Sequence, residues 1–176
     1  MTTKSIRKFT CVLIGDDGQT KNAFEEQLVK GGFPMVEMNE QGLEVRPLVF
    51  QTTAGSLLFR VLDATGQQKF KKLSQDQDRV QADCTVIMFE NAESDHGALL
   101  KKYKDIPTIL CGVKKQIKDI TKKTKLQYFY NINSQNTNNY EYLFLWLGGQ
   151  LLGDMQLELL SMIGDELVDK PPMEGD

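Results

Sequence analysis

Apolar and β-branched residues gather in six short runs: Phe9 to Ile14, Leu43 to Phe50, Leu57 to Leu62, Thr85 to Phe89, Thr108 to Cys111 and Tyr128 to Ile132. Runs of this length, bounded by polar and glycine-containing stretches, predict strands. Helical patterns separate most of them. The second and third are joined only by Gln51 to Ser56, which reads as a hairpin turn and makes one strand antiparallel. Strands that otherwise alternate with helices predict an α/β fold, a six-stranded and mainly parallel sheet with helices on both faces. The clearest helix carries Tyr140, Leu143, Phe144, Leu147 and Leu151 at i, i+3, i+4, i+7 and i+11, with Asn138 or Asn139 as cap and Trp146 beside the stripe. Gly148 and Gly149 interrupt it at roughly 1 kcal/mol each relative to alanine. One domain over residues 1–168 is expected, followed by a short disordered tail, 169–176, around Pro171-Pro172.

Bulk properties narrow the class. With 176 residues and 40% hydrophobic content, the chain suits one domain with a full core. A net charge of −3 and a pI near 5.3 argue against generic nucleic-acid binding, although lysines gather from Lys101 to Lys125. Cys11, Cys84 and Cys111 each lie in an apolar run and read as core residues of a reducing compartment. The single histidine, His96, falls in a polar turn, so a histidine triad or zinc site would rest on an exposed loop residue. No signal segment or membrane-length apolar run is present, so a soluble, intracellular monomer that does not engage membranes is expected.

The candidate chemistry begins at "GDDGQTKN", Gly15 to Asn22, between the first apolar run and a helix-like stretch. A phosphate loop of the form G-x-x-x-x-G-K-[ST] belongs at such a place. Lys21 stands where its lysine is expected, but Thr20 replaces the second glycine and Asn22 replaces the Ser or Thr.

Read in order, "VLIGDDGQTKNAF", "GLEVRPLVFQT", "VLDATGQQKF", "VIMFE", "IPTILCGVKKQIKD", "LQYFYNI" and "YLFLWLGGQLLGD" resemble the Ran nuclear-transport GTPases over residues 8–157. The resemblance implies a Ras-like G domain, GTP or GDP with Mg²⁺ as cofactors, and a nuclear and cytoplasmic location. It also assigns candidate roles: Gly15, Gly18 and Lys21 to the phosphates, Phe33 beside the guanine base, Gly66 to sensing the γ-phosphate, and Lys114 to stacking on the base. Asp63 would hold Mg²⁺ through water, Asn22 would stand weakly in the metal-ligand position, and Gln67 would orient the attacking water.

Departures from the family pattern fall on the same sites. Thr20 crowds the phosphates, and Asn22 offers at best a neutral amide oxygen to Mg²⁺. Asp17, in place of a glycine, sets a carboxylate near the γ-phosphate. Glu40 stands where the family's Mg²⁺-gripping threonine belongs. The base-selecting N-K-x-D becomes Val113-Lys114-Lys115-Gln116, which removes the aspartate that reads guanine, and the supporting segment becomes Asn133-Ser134-Gln135. A charge-assisted bond is worth ~1.5–3 kcal/mol and an ordinary one ~1. The summed deficit is ~5–8 kcal/mol, or about 10⁴ to 10⁶ in affinity.

The favoured expectation is a pseudo-GTPase adaptor linked to nucleocytoplasmic transport, with GTP binding lost or weakened. The alternatives are a working GTPase using Lys21, Asp63 and Gln67, and a G-domain scaffold outside transport. Importin-β-type receptors are the expected partners, with "EVRPLVF" and the lysines at 122, 123 and 125 keeping part of that surface. The third-helix region is shorter than in Ran, and the chain stops at Asp176, which argues against Ran-binding domains that embrace the family's longer C-terminal segment.

Overall fold

The computed structural model describes residues 6–75, 81–90, 96–112, 129–131 and 140–162. In chain order these form β1 (Arg7–Gly15), α1 (Gln19–Lys30), β2 (Glu37–Met38), β3 (Glu44–Thr52), β4 (Gly55–Asp63), α2 (Gln67–Gln75) and β5 (Cys84–Met88). Then follow α3 (Gly97–Lys102), β6 (Thr108–Gly112), β7 (Phe129–Asn131), α4 (Tyr140–Leu152) and β8 (Leu159–Met162). All six expected strands are present, and β2 and β8 are additions too short for an apolar run to reveal. The 169–176 tail lies outside the described residues.

One sheet of eight strands runs β2-β3-β4-β1-β5-β6-β7, with β8 also on β3. The pairs from β4 through β7 are parallel, whereas β3 is antiparallel to β2, β4 and β8. The hairpin is tighter than its sequence suggests. Thr52 already pairs with Gly55, and the Thr52 hydroxyl donates to the Gly55 carbonyl while accepting from the Ala54 N–H.

Period-two alternation in β1 divides the core. Cys11 and Leu13 face one layer with Phe24 and Leu28 of α1 and Tyr140, Leu143, Phe144 and Leu147 of α4. Val12 and Ile14 face the other, with Leu73 of α2 and the flanking Leu99 and Leu100 of α3. Helices therefore cover both faces, as the pattern predicts. The first layer is aromatic: Phe144 stacks on Phe50 at 5.6 Å and lies 5.2 Å from Phe59. All three cysteines are buried and unbridged, as core residues should be. No described helix is long and apolar enough to cross a membrane.

The chain departs from β1 to one side to build β3 and β4, and returns to its other side with β5. A crevice opens at such a reversal, beyond the carboxyl ends of the parallel strands. That edge gathers Gly15, Asp63 and the residues after Met88.

The helix glycines correct the propensity argument. A Cβ on Gly149 would lie 2.8 Å from the Asp154 backbone oxygen, and one on Gly148 would lie 3.0 Å from Leu57 and 3.1 Å from Leu157. Alanine would gain about 1 kcal/mol in helix propensity, but at Gly149 a backbone atom is in the way, and the Asp154 N–H already bonds the Gly149 carbonyl at 2.9 Å. Gly149→Ala is expected to destabilise the protein by about 1–3 kcal/mol. Urea unfolding followed by circular dichroism checks it, and a stability equal to or above wild type would contradict the packing argument.

Candidate functional site: a phosphate-type loop filled by carboxylates

The loop after β1 needs glycine at its first position. Gly15 has φ +98°, and a Cβ there would meet the Met88 carbonyl oxygen at 2.5 Å. Asp16 ties the loop to the end of β5 twice, since its N–H donates to the Met88 carbonyl at 3.0 Å and its Oδ2 accepts from the Glu90 N–H at 2.9 Å. Gly18 is extended (φ −153°) and precedes α1 without a side chain to cap it.

The cap comes from seventy residues away in sequence: the Thr20 N–H donates to Glu90 Oε2 at 3.0 Å. The Thr20 hydroxyl donates to the Phe89 carbonyl at 2.9 Å, which buries the side chain. Glu90 presses so closely on the loop that a Cβ on Gly18 would meet its carboxylate at 2.6 Å. A helix N-terminus attracts anions through its unpaired N–H groups and its dipole. Here the anion it holds is the protein's own.

Lys21 meets a second internal carboxylate. Its Nζ lies 2.8 Å from Asp17 Oδ1, 3.4 Å from Asp63 Oδ2 and 3.9 Å from Glu25 Oε1, and the residue is only 7% exposed. Burial opposes its charge, but the hydrogen bond to Asp17 and the fields of Asp63, Glu25 and Asp17 outweigh that and hold its pKa above the ordinary lysine value.

Asp63, 3% exposed at the end of β4, is fully engaged. Its Oδ1 accepts from the N–H and hydroxyl of Thr65, and its Oδ2 lies 2.9 Å from Lys69 Nζ as well as near Lys21. Burial pushes its pKa up, yet the bonds from Thr65 and Lys69 and the charge of Lys21 prevail and keep it below the usual carboxylate range. Glu25 has the opposite balance: burial dominates and raises its pKa despite the nearby Lys21. Glu25, Glu44 and Asp63 bring one oxygen each within 4.8 Å of one another. The Lys21 ammonium, within 3.9 Å of two of them, balances much of that charge.

Gly15, Gly18, Lys21, Asp63 and Gly66 thus converge at one edge, although Gly66, with φ +85°, donates its N–H to the Gly15 carbonyl at 2.8 Å. Gln67 is exposed at the start of α2. Asn22 is exposed on α1, along a groove with Glu25, Glu26 and Arg46. Phe33 is 7% exposed, 5.8 Å from Phe50 and 6.3 Å from Tyr140, so its ring packs with the core aromatics. Glu40 sits in the Asn39–Gly42 turn between β2 and β3, lining a hollow with Thr10 and Arg60 at mid-strand. Lys114, with Val113, Gln116 and Asn133 to Gln135, lies outside the described residues.

Sequence reasoning passed over Glu90 and Lys69, and it read His96 only as an exposed turn residue. The His96 side chain is 11% exposed, edge-on to Phe89 at 4.8 Å, with Nε2 3.2 Å from Asp16 Oδ2. This corrects its reading as an exposed loop residue. The available signal was acid density: Asp16, Asp17, Asp63 and Glu90 all stand at strand ends on one edge, where each needs a donor.

The sequence model of the Ras family matches residues 10–146. The match spans the loop, both core layers and the edge where these carboxylates meet.

The raised pKa of Glu25 sets a pH dependence. A carboxyl with a folded pKa above its unfolded value contributes stability that is fully present below the unfolded pKa and is lost as pH rises through the folded one. Glu25→Gln removes that loss, so the variant is expected to be more stable than wild type at pH 7, with the advantage shrinking towards about pH 4, near the unfolded pKa. Denaturant midpoints measured across that range test it, and a variant less stable than wild type at pH 7 would show that the Lys21 pairing dominates instead.

Proposed function

This chain belongs to the Ras family, and on that premise we propose that it is a Ran-like pseudo-GTPase: an adaptor of nucleocytoplasmic transport that works without a nucleotide cycle. Domains of this family bind GTP or GDP with Mg²⁺ as a class. The observation that carries the proposal is that both anion-binding elements of the loop, the α1 N-terminus and Lys21, are satisfied by carboxylates of the same chain, Glu90 and Asp17.

The residues present do not fit a magnesium-bound triphosphate. Phosphates entering the loop would meet Asp17 and Glu90 as like charges, and displacing either leaves a carboxylate to be accommodated nearby. Both oxygens of Asp63 already have donors, so an outer-sphere metal role competes with Lys69 and Thr65. Asn22 supplies no hydroxyl. Survival of Lys21, Asp63 and an exposed Gln67 supports the working-GTPase alternative, yet each would need repartnering before it acted.

The transport half rests on resemblance. "EVRPLVF" forms most of β3, and Glu40 brings none of the γ-phosphate-sensing chemistry by which a family member distinguishes GTP from GDP. A ligand shifts a conformational equilibrium only through differential affinity for its two states. Without that differential, receptor binding is constitutive.

Two outcomes are expected. Protein purified without added nucleotide and then denatured should release little guanine nucleotide on ion-exchange chromatography. A variant carrying Asp17→Gly, Thr20→Gly, Asn22→Thr, Val113→Asn and Gln116→Asp should release more. Near-stoichiometric GDP or GTP from the wild type would overturn the pseudo-GTPase reading.

Interferometry against importin-β-type receptors should give the same affinity with GTP, GDP or no nucleotide in the presence of Mg²⁺. GTP-selective binding would restore the switch, and no binding to any receptor would replace transport with an unrelated scaffold role.

A further inference from the structure

Away from the loop, the outer face of α4 and the segment leading into β8 enclose a cleft. Trp146 and Leu157 line it, Tyr142 and Met155 stand at its mouth, and Glu141, Asp154 and Glu158 are also among its walls. Met155 is 78% exposed and Tyr142 60%, so an apolar surface lies open beside three carboxylates. No lysine or arginine occurs among the described residues that line it.

One of those carboxylates is incomplete. Glu141 Oε2 is shut off from solvent and has no hydrogen-bond partner among the described residues, and burial raises the pKa of its carboxyl. A desolvated acceptor without a donor is costly, and a charged donor compensates it best. A cation seated in the cleft beside this carboxylate, with apolar neighbours lying over Tyr142 and Met155, would offset part of that cost through its field.

We propose that this cleft docks a short segment of a partner protein in which an arginine or lysine stands between apolar residues. Charge complementarity selects that occupant, because three carboxylates surround an apolar lining with no balancing lysine or arginine among the described residues that line it. The aromatic rings add a face on which a guanidinium can lie. The opening is formed by one helix face and one connecting segment, so it accepts a peptide-sized element. A second copy of this chain is a poorer match, since each carries a net charge of −3. The site is independent of the nucleotide reading above.

Trp146, the chain's single tryptophan, reports on occupancy. An array of capped heptapeptides combining arginine or lysine with leucine and methionine, alongside counterparts with glutamate in place of the basic residues, is screened by tryptophan fluorescence. The best binders are then titrated at two salt concentrations. Basic peptides should give a saturable change that weakens with salt, and the glutamate counterparts none. Glu141→Gln with Glu158→Gln should weaken binding about tenfold, the equivalent of one lost charge-assisted contact. Met155→Lys changes only an exposed side chain, leaves folding intact by circular dichroism, and should abolish binding by placing a cation at the mouth. The proposal is overturned if no basic peptide binds, if glutamate peptides bind equally, if both variants keep full affinity, or if sedimentation shows that a second copy of the chain fills the cleft.

Discussion

A carboxylate held at 3% exposure cannot remain charged without donors on every side, and Asp63 is that carboxylate. Its solution draws in three parts of the chain: Lys21 from α1, Lys69 from α2, and Thr65 from the turn between β4 and α2. Lys21 in turn fixes Asp17, and Asp17 lies 3.4 Å from where a Cβ on Gly66 would stand. The loop, the first helix and the second helix are thereby registered against one buried charge. Such an arrangement contributes little net stability, because desolvation consumes most of the Coulombic gain. Its effect is positional, since loss of any one member leaves a buried ion without a partner.

A carboxylate and a phosphate oxygen make similar demands on an N–H or an ammonium, which is why the loop keeps the form of an anion cradle with Glu90 and Asp17 seated in it. The difference is covalent attachment. Glu90 and Asp17 are tethered, so their local concentration never falls, and a diffusing ligand must compete with groups that lose little freedom by staying. Restoring one glycine would relieve crowding without removing that competition.

The six main strands were legible because burial on both faces forces continuous apolar runs, and α4 because its stripe recurs at helical spacing. Neither signal exists for β2 or β8, whose lengths fall below any periodicity. Within the site, Lys21 and Asp63 could be placed from local motifs. Glu90 could not: its partner Thr20 is seventy residues distant, and only the parallel pairing of β1 with β5 brings them together. Phe33 was open between two readings, since a loop aromatic shows no sign in sequence of whether it turns towards a ligand or tucks onto the core, where its ring lies near Phe50. The glycines of α4 were weighed by propensity alone, and the obstruction at Gly149 comes from Asp154, beyond the end of that helix.

The two short strands on β3 have a consequence of another kind. β2 covers Glu44 and Val45, and β8 covers Phe50 to Thr52 with a register shift at its end. Between them, among the described residues, Arg46, Pro47, Leu48 and Val49 have no strand partner on that side. An open strand of a sheet is a template on which other chains assemble. Here the uncovered window is four residues long and contains a proline with no N–H to donate. Two fragments of strand, each negligible as a source of folding energy, thus leave a nine-residue hydrophobic strand with almost nowhere for a foreign strand to begin pairing.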